Sequence, residues 1–290
     1  MHGRRLLSIG AAAAMTLALA VGATASTSHR AAATLTIWCW TPTDDALKLA
    51  DAAFTKAHPD VELTADEGSR FDALIAKRAD GVPVAYLRGF KEFYGLRFAV
   101  DPRVLVPRPE TETLVDAVRS YAGERDLVVV DVGTGSGAIA VALAVSAPRV
   151  RVIATDVSAA ALVVARANAT AHGVRIDFRQ GDLLAPVTER VDVVAANLPY
   201  LRDDDLEQLA GERTSLAFEP RVATVAGPDG LALVRHAIAD LPRVLAPDGA
   251  AFFECDPPQV ASISALLAPL GTVDVLKDLA GLDRVVRVRR

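Results

Sequence analysis

Cysteine is nearly absent from this chain: of 290 residues only Cys39 and Cys255 carry a thiol, and they lie far apart. Two such residues build neither a disulfide framework nor a zinc site. Histidine is almost as sparse. His2, His29, His58, His172 and His236 are scattered, none at ligand spacing from a second, so no metal centre is expected. An excess of positive charge is also missing. Lys and Arg number 31 against 36 Asp and Glu, for a net charge of -5, which removes the global electrostatic footprint of a nucleic-acid binder. Charged residues make up only 23% of the chain and hydrophobic residues 51%. That composition suits one sizeable core with a small second unit. Internal repeats are absent, and the only low-complexity tract is the run of alanines near the N-terminus.

Residues 1–25 have the pattern of a secretory signal. Arg4-Arg5 precede an apolar run from Leu6 to Ala23, and the small residues Ala23-Thr24-Ala25 follow. Ser8, Thr16 and Gly22 interrupt the run, so no membrane span is expected. In residues 26–68, strand patterns at 34–38 and 61–63 flank a helical periodicity from Asp44 to His58, with Leu47, Ala50 and Phe54 on one face. Together with Trp38-Cys39-Trp40 and Phe54-x-x-Ala57-His58-Pro59, this opening resembles the first segment of extracellular solute-binding proteins of sugar transporters. The resemblance ends near residue 65, and nothing downstream supplies the second lobe of such a protein.

Residues 69–109 read as a linker. Phe71–Ala79 has a short helix pattern, and Gly81 to Pro107 alternates like hairpin strands, with turns near Gly89 and Asp101-Pro102. Residues 110–290 read as the catalytic domain. It opens with an amphipathic helix from Glu110 to Tyr121, with Leu114, Val115 and Val118 inward. Strand patterns follow at 127–131, 150–156, 175–178, 191–195 and 250–254, with helix patterns at 137–145, 158–172, 231–245 and 258–267. This alternation predicts an α/β fold with a doubly wound parallel sheet. The last two strands, at 272–276 and 284–288, have no helix between them and predict an antiparallel hairpin at the sheet edge.

Asp131-Val132-Gly133-Thr134-Gly135-Ser136-Gly137 lies between a buried strand and a helix. Glycines there let the backbone turn sharply and approach a ligand, and the helix start presents free N–H groups. No Lys-Ser or Lys-Thr follows, so this is not a triphosphate loop. The looser spacing of Gly133, Gly135 and Ala138 also fits a dinucleotide site, with Asp156 as the ribose-binding acid. Two features favour S-adenosylmethionine: Asp131 two residues before the first glycine, and the tighter spacing that Gly137 provides. Asp156 also suits an N-cap for the helix that follows. Gly181-Asp182-Leu183 follows the third strand, where such folds place groups around adenine, but it also reads as a simple turn.

Asn197-Leu198-Pro199-Tyr200 follows the fourth strand and should open into the same crevice, because ligands of open parallel sheets bind beyond the strands' carboxyl ends. Methylating an amide nitrogen needs help, since its lone pair is delocalised. The Asn197 oxygen and a neighbouring backbone carbonyl can accept from both hydrogens of an –NH2 group and hold the nitrogen in line with a methyl donor. Tyr200 offers a flat face to a planar group.

With these two motifs, the chain resembles the bacterial protein-(glutamine-N5) methyltransferases that modify peptide chain release factors. The matching segments are Gly81 to Gly89, Glu92-Phe93-Tyr94-Gly95, Val106-Pro-Arg-Pro-Glu-Thr-Glu112, the glycine loop, the tetrapeptide, Glu219-Pro220, Asp229-Gly230 and Lys277 to Arg284. Generic methyltransferases lack the segment ending at Glu112. The resemblance implies a Rossmann-like, seven-stranded S-adenosylmethionine-dependent sheet, with Gly133–Gly137, Asp156, Leu183 and Asn197 along the cofactor. It implies that Asn197 to Tyr200 hold a glutamine, that of a Gly-Gly-Gln sequence in a release factor. A monomer without stable nucleic-acid binding is expected. The chemistry points to the cytoplasm, in conflict with the signal-like start.

Two departures stand out. The family usually has Asn-Pro-Pro-Tyr where this chain has Leu198, and residues 1 to about 65 do not resemble the family's helical start. Two other readings stay open. Asn-Leu-Pro-Tyr is also the signature of ribosomal RNA adenine N6-dimethyltransferases, and the chain also reads as a non-functional fusion joined near residues 65–70.

Overall fold

The computed structural model describes residues 65–205 and 215–290. The signal-like segment and the patterns at 34–38, 44–58 and 61–63 lie outside the described residues. The chain divides into two units, Met1–Ala79 and Asp80–Arg290. The described part of the first is one helix, α1 (Ala65–Ala79), which begins earlier than the pattern from Phe71 suggests.

The second unit opens with a difference from expectation. Val84–Arg88 form a one-turn helix, α2, not an extended strand. Pro83 precedes it and cannot donate a hydrogen bond, and Gly89 ends it at φ 73 with its N–H donating to the Tyr86 carbonyl. The hairpin is therefore shorter: β1 (Phe90–Phe93) pairs antiparallel with β2 (Leu96–Ala99). Its two-residue turn, Tyr94-Gly95, has positive φ at both positions, the backbone that matches strand twist.

The catalytic domain alternates as expected. A 3-10 turn (Pro109–Thr111) leads into α3 (Glu112–Ala122). There follow β3 (Val128–Val132), α4 (Ala138–Ser146), β4 (Arg151–Asp156), α5 (Ala159–Ala171), β5 (Asp177–Gln180) and β6 (Val191–Ala196). Then come α6 (Ala232–Val244), β7 (Leu245–Glu254), α7 (Val260–Leu267), β8 (Thr272–Lys277) and β9 (Asp283–Arg289). The seven strands β3–β9 lie in the order β5-β4-β3-β6-β7-β9-β8. The first five pair in parallel. The closing hairpin is at the edge, with β9 inserted antiparallel between β7 and β8.

Both faces of this sheet are covered, which is why its strands read as continuous apolar runs. Side chains alternate between faces. Val129, Val193, Ala195 and Phe252 pack with Leu114 of α3, Leu143 of α4 and Ala165 of α5. Val130, Val194, Ala196 and Phe253 pack with Leu241 of α6 and Ile263 of α7. Phe252 and Phe253 are fully buried, each contributing about 1.5–3 kcal/mol from removal of apolar surface from water. Strand order reverses between β3 and β6, so the carboxyl ends of these two neighbours border the crevice where such sheets bind ligands. No helix among the described residues is long and apolar enough to cross a membrane.

Candidate active site

The glycine loop leaves β3 and turns back at once. Gly133 and Thr134 both donate to the Thr155 carbonyl at 2.9 Å, which fastens the loop to the end of β4. Gly133, Gly135 and Gly137 all have positive φ. At Gly137 a Cβ would sit 3.1 Å from Ala165 Cβ, so glycine there also lets the start of α4 approach α5. Below the loop, Asp131 is fully buried. Its Oδ2 accepts from Thr134 Oγ1 at 2.6 Å and from the Ala140 N–H at 3.2 Å. Its Oδ1 is buried and has no partner among the described residues. Burial pushes the Asp131 carboxyl up to about 7, against the pull of its two hydrogen bonds.

Asp156 ends β4 and faces the loop. Its Oδ2 accepts from the Gly135 N–H at 2.8 Å and its Oδ1 from the Ser158 N–H at 2.8 Å. The side-chain cap of α5 is Ser158, which accepts from the Ala161 N–H. Asp156 therefore stands outside the cap, and each of its oxygens keeps a further lone pair. Burial raises its pKa. Gly181 donates to the Asp156 carbonyl, and the Leu183 carbonyl accepts from Thr155 Oγ1 at 2.8 Å. Leu183 is buried at φ 44, while Asp182 is exposed. Asn168 supports the loop from behind. Buried on α5, it donates to the Ser136 and Ala99 carbonyls and accepts from the Ala99 N–H.

The tetrapeptide lies beside this loop. Leu198 is buried in the core, and its Cδ2 stands 3.2 Å from where a Cβ on Gly133 would be. Leucine thus packs well where the family usually has proline. Asn197 donates from Nδ2 to Thr111 Oγ1 at 3.0 Å, and Thr111 Oγ1 donates to Glu254 Oε1 at 3.0 Å. No hydrogen bond to Asn197 Oδ1 or to the Leu198 carbonyl occurs among the described residues. Glu254, at the end of β7, is buried and pushed up to about 7 by desolvation. The Tyr200 carbonyl accepts from Gln259 Nε2 at 3.1 Å, and Gly230 packs directly against it. A cleft opens along the tetrapeptide, lined also by Leu105, Arg108, Leu201, Leu216, Ala223 and Thr224.

The Pro-Arg-Pro-Glu-Thr-Glu segment is what holds this arrangement. Arg108 pairs with Glu219, whose other oxygen accepts from the Val106 N–H at 3.2 Å. Thr111 joins Asn197 to Glu254, and Glu112 accepts from the Tyr94 N–H at 2.7 Å. Asp131, Gly133–Gly137, Asp156, Leu183 and Asn197–Tyr200 thus gather at the carboxyl ends of β3, β4 and β6, and Asp182 lies on the rim. Sequence reasoning did not single out Thr111, Glu254 and Asn168. Only the distinctive run around Thr111 marked any of them.

The chain matches the Methyltransferase small domain model over residues 109–215 and the PrmC N-terminal domain model over residues 44–89. Release factor glutamine methyltransferase of Neisseria gonorrhoeae is 42% identical over 229 residues, covering 77% of this chain and 82% of that one. That of Xylella fastidiosa strain 9a5c is 42% identical over 242 residues, covering 81% and 86%. The chain belongs to the release factor glutamine methyltransferase family. The PrmC N-terminal domain match takes in residues 44–68, which the sequence pattern had set apart from this family. Among solved structures, the hMettl16 catalytic domain shares the fold, with a TM-score of 0.54 at 16% identity over 86% of this chain and 93% of that one. In the family's terms, the fold is a mixed seven-stranded methyltransferase sheet and the protein is an enzyme.

Proposed function

We propose that this enzyme transfers a methyl group from S-adenosylmethionine to the side-chain amide nitrogen of a glutamine in a protein, the Gly-Gly-Gln glutamine of a peptide chain release factor. The observation that carries the reading is Asn197. Its NH2 is taken by Thr111, which leaves Oδ1 as an acceptor beside the glycine loop. The name borne by the relatives from Neisseria gonorrhoeae and Xylella fastidiosa, each 42% identical, agrees with it.

 The relatives' sequences cover most of both chains, so the reading extends over the whole catalytic unit. The reaction belongs in the cytoplasm, where its methyl donor is made, and the enzyme acts as a monomer without stable nucleic-acid binding.

The residues present fit the cofactor. Three positive-φ glycines shape the loop, and at Gly135 it is open, with nothing within 4 Å of where a Cβ would be. Asp131 keeps a buried oxygen without a partner among the described residues, suited to a cationic amino group. Asp156 has lone pairs to spare for two ribose hydroxyls. Asp182 and Leu183 lie next to Asp156 and would border the adenine. When bound, S-adenosylmethionine supplies an electrophilic methyl group on a sulfonium.

The chain's own residues do the rest by orientation. Asn197 Oδ1 accepts one amide N–H, and the Leu198 carbonyl accepts the other. Tyr200 lies along the planar amide, and Pro199 stiffens the turn between them. These contacts hold the nitrogen lone pair toward the glycine loop. No dedicated base is needed, because the nitrogen proton becomes acidic only as the new bond forms.

The test is incubation of the purified chain with labelled S-adenosylmethionine and either a release factor carrying Gly-Gly-Gln or unmodified ribosomal RNA. Label is expected in the protein and is lost when the glutamine is replaced. Label in RNA and none in protein overturns the reading.

A further inference from the structure

We infer that Glu254 and Thr111 form a positioning relay that turns the oxygen of the Asn197 amide, and not its nitrogen, toward the substrate. The inference rests on the amide-methyltransferase reading above and deepens it.

A threonine hydroxyl has a single hydrogen to donate. Thr111 Oγ1 has two neighbours at 3.0 Å, Glu254 Oε1 and the Asn197 side-chain amide. An ionised carboxylate only accepts, so the Thr111 hydrogen points to Glu254. Thr111 then offers Asn197 nothing but a lone pair, and Asn197 must meet it with its NH2. The Asn197 oxygen is thereby directed away from Thr111. Turned by half a rotation, the same amide would occupy nearly the same volume and set donor against donor at a substrate –NH2 group.

Burial makes the relay more than a local convenience. Glu254 is 4% exposed, and its Oε2 is buried with no partner among the described residues. Burying such a group is costly, and an apolar side chain would serve packing better. Arg284 favours the ionised form, while Glu110 opposes it. Tyr200 and Cys255 in turn feel the charge on Glu254. When Glu254 takes up a proton it can donate to Thr111. The Thr111 hydrogen is then free to point at Asn197, and both directions of the amide become acceptable. The relay therefore works with Glu254 ionised and weakens as it protonates.

The experiment compares Thr111→Val, Thr111→Ser and Glu254→Gln with the unaltered enzyme, on a release factor at saturating S-adenosylmethionine and on both sides of pH 7. Melting temperature and cofactor Kd are measured for each chain. Thr111→Val is expected to lower kcat by about tenfold or more, equivalent to about 1.4 kcal/mol, with cofactor Kd unchanged. It should also narrow the binding preference for a Gly-Gly-Gln peptide over its Gly-Gly-Glu counterpart. Thr111→Ser, which keeps the hydroxyl, should restore both. The unaltered enzyme should lose kcat as pH falls below about 7, and Glu254→Gln should remove that dependence. Equal kcat and selectivity in the Val and Ser variants, or an unchanged acidic limb in Glu254→Gln, overturns the relay. Absence of transfer by the unaltered enzyme would overturn the functional reading itself.

Discussion

Arg108 forms an ion pair with Glu219, whose side chain is wholly shielded from solvent while Arg108 keeps a third of its own exposed. The pair joins the Pro-Arg-Pro segment to the wall of the cleft, and Glu219 also accepts from the Val106 N–H. Burial raises the Glu219 pKa, and the Arg108 charge opposes that rise. Removing the cation alone strands a buried carboxylate. Arg108→Met should therefore cost about 3–5 kcal/mol of stability, measured by urea denaturation. Adding Glu219→Gln should recover part of the loss. A single variant as stable as the parent would show that the pair is not what holds this wall.

Glu254 should leave a signature in stability as well as in turnover. Its pKa rises from 4.5 to about 7 on folding, so the folded state binds the proton more tightly than the unfolded state. Below about pH 4.5 both states are protonated and the contribution is fully present. It is lost as pH rises toward 7, and above 7 the loss is complete. Glu254→Gln should therefore gain stability relative to the parent as pH rises from 5 to 8, followed by melting temperature. A constant difference across this range would mean that Glu254 titrates alike in both states.

Two glycines of one loop should behave differently. Both Gly135 and Gly137 have positive φ, but a Cβ at Gly137 meets Ala165 at 3.1 Å while one at Gly135 meets nothing within 4 Å. Gly135→Ala should cost about 1–2 kcal/mol from backbone strain alone, and its methyl group should intrude on the cofactor. Gly137→Ala should cost more, because α4 and α5 must also separate. Calorimetric binding and thermal melts on the two variants separate these effects. Equal stability losses would refute the close-packing role of Gly137.

Asn197→Ala should abolish turnover while keeping cofactor affinity within about tenfold, or about 1.4 kcal/mol. The side chain addresses the substrate amide in the proposed arrangement, and the glycine loop and Asp156 hold the cofactor without it. Single-turnover kinetics alongside cofactor titration distinguishes the two roles. Undiminished turnover would remove Asn197 from the chemistry.

Local chemistry makes much of this site legible in the sequence. A buried strand, three glycines and a helix start define the loop from Asp131 to Gly137, because positive φ and close approach are properties of neighbouring residues. The alternation of strands and helices likewise implied the parallel sheet. The extended reading of Val84–Arg88 failed because a five-residue segment has too few turns for periodicity to tell helix from strand. There Pro83 and Gly89 acted as helix boundaries. The functional weight of Thr111 was hidden for another reason: its partners, Asn197 and Glu254, stand 86 and 143 residues away.

By itself the sequence determined the fold class, the glycine loop and the presence of an asparagine beside it, since each follows from residues adjacent in the chain. Only the tertiary structure decided which way that asparagine is turned. Its amide has two nearly isosteric ends, and the choice between them rests on one hydroxyl proton, which Thr111 donates to a buried carboxylate at the end of the neighbouring strand β7 while its lone pair receives the Asn197 NH2. Such a choice is made by hydrogen-bond geometry across strands, and no local pattern of residues encodes it.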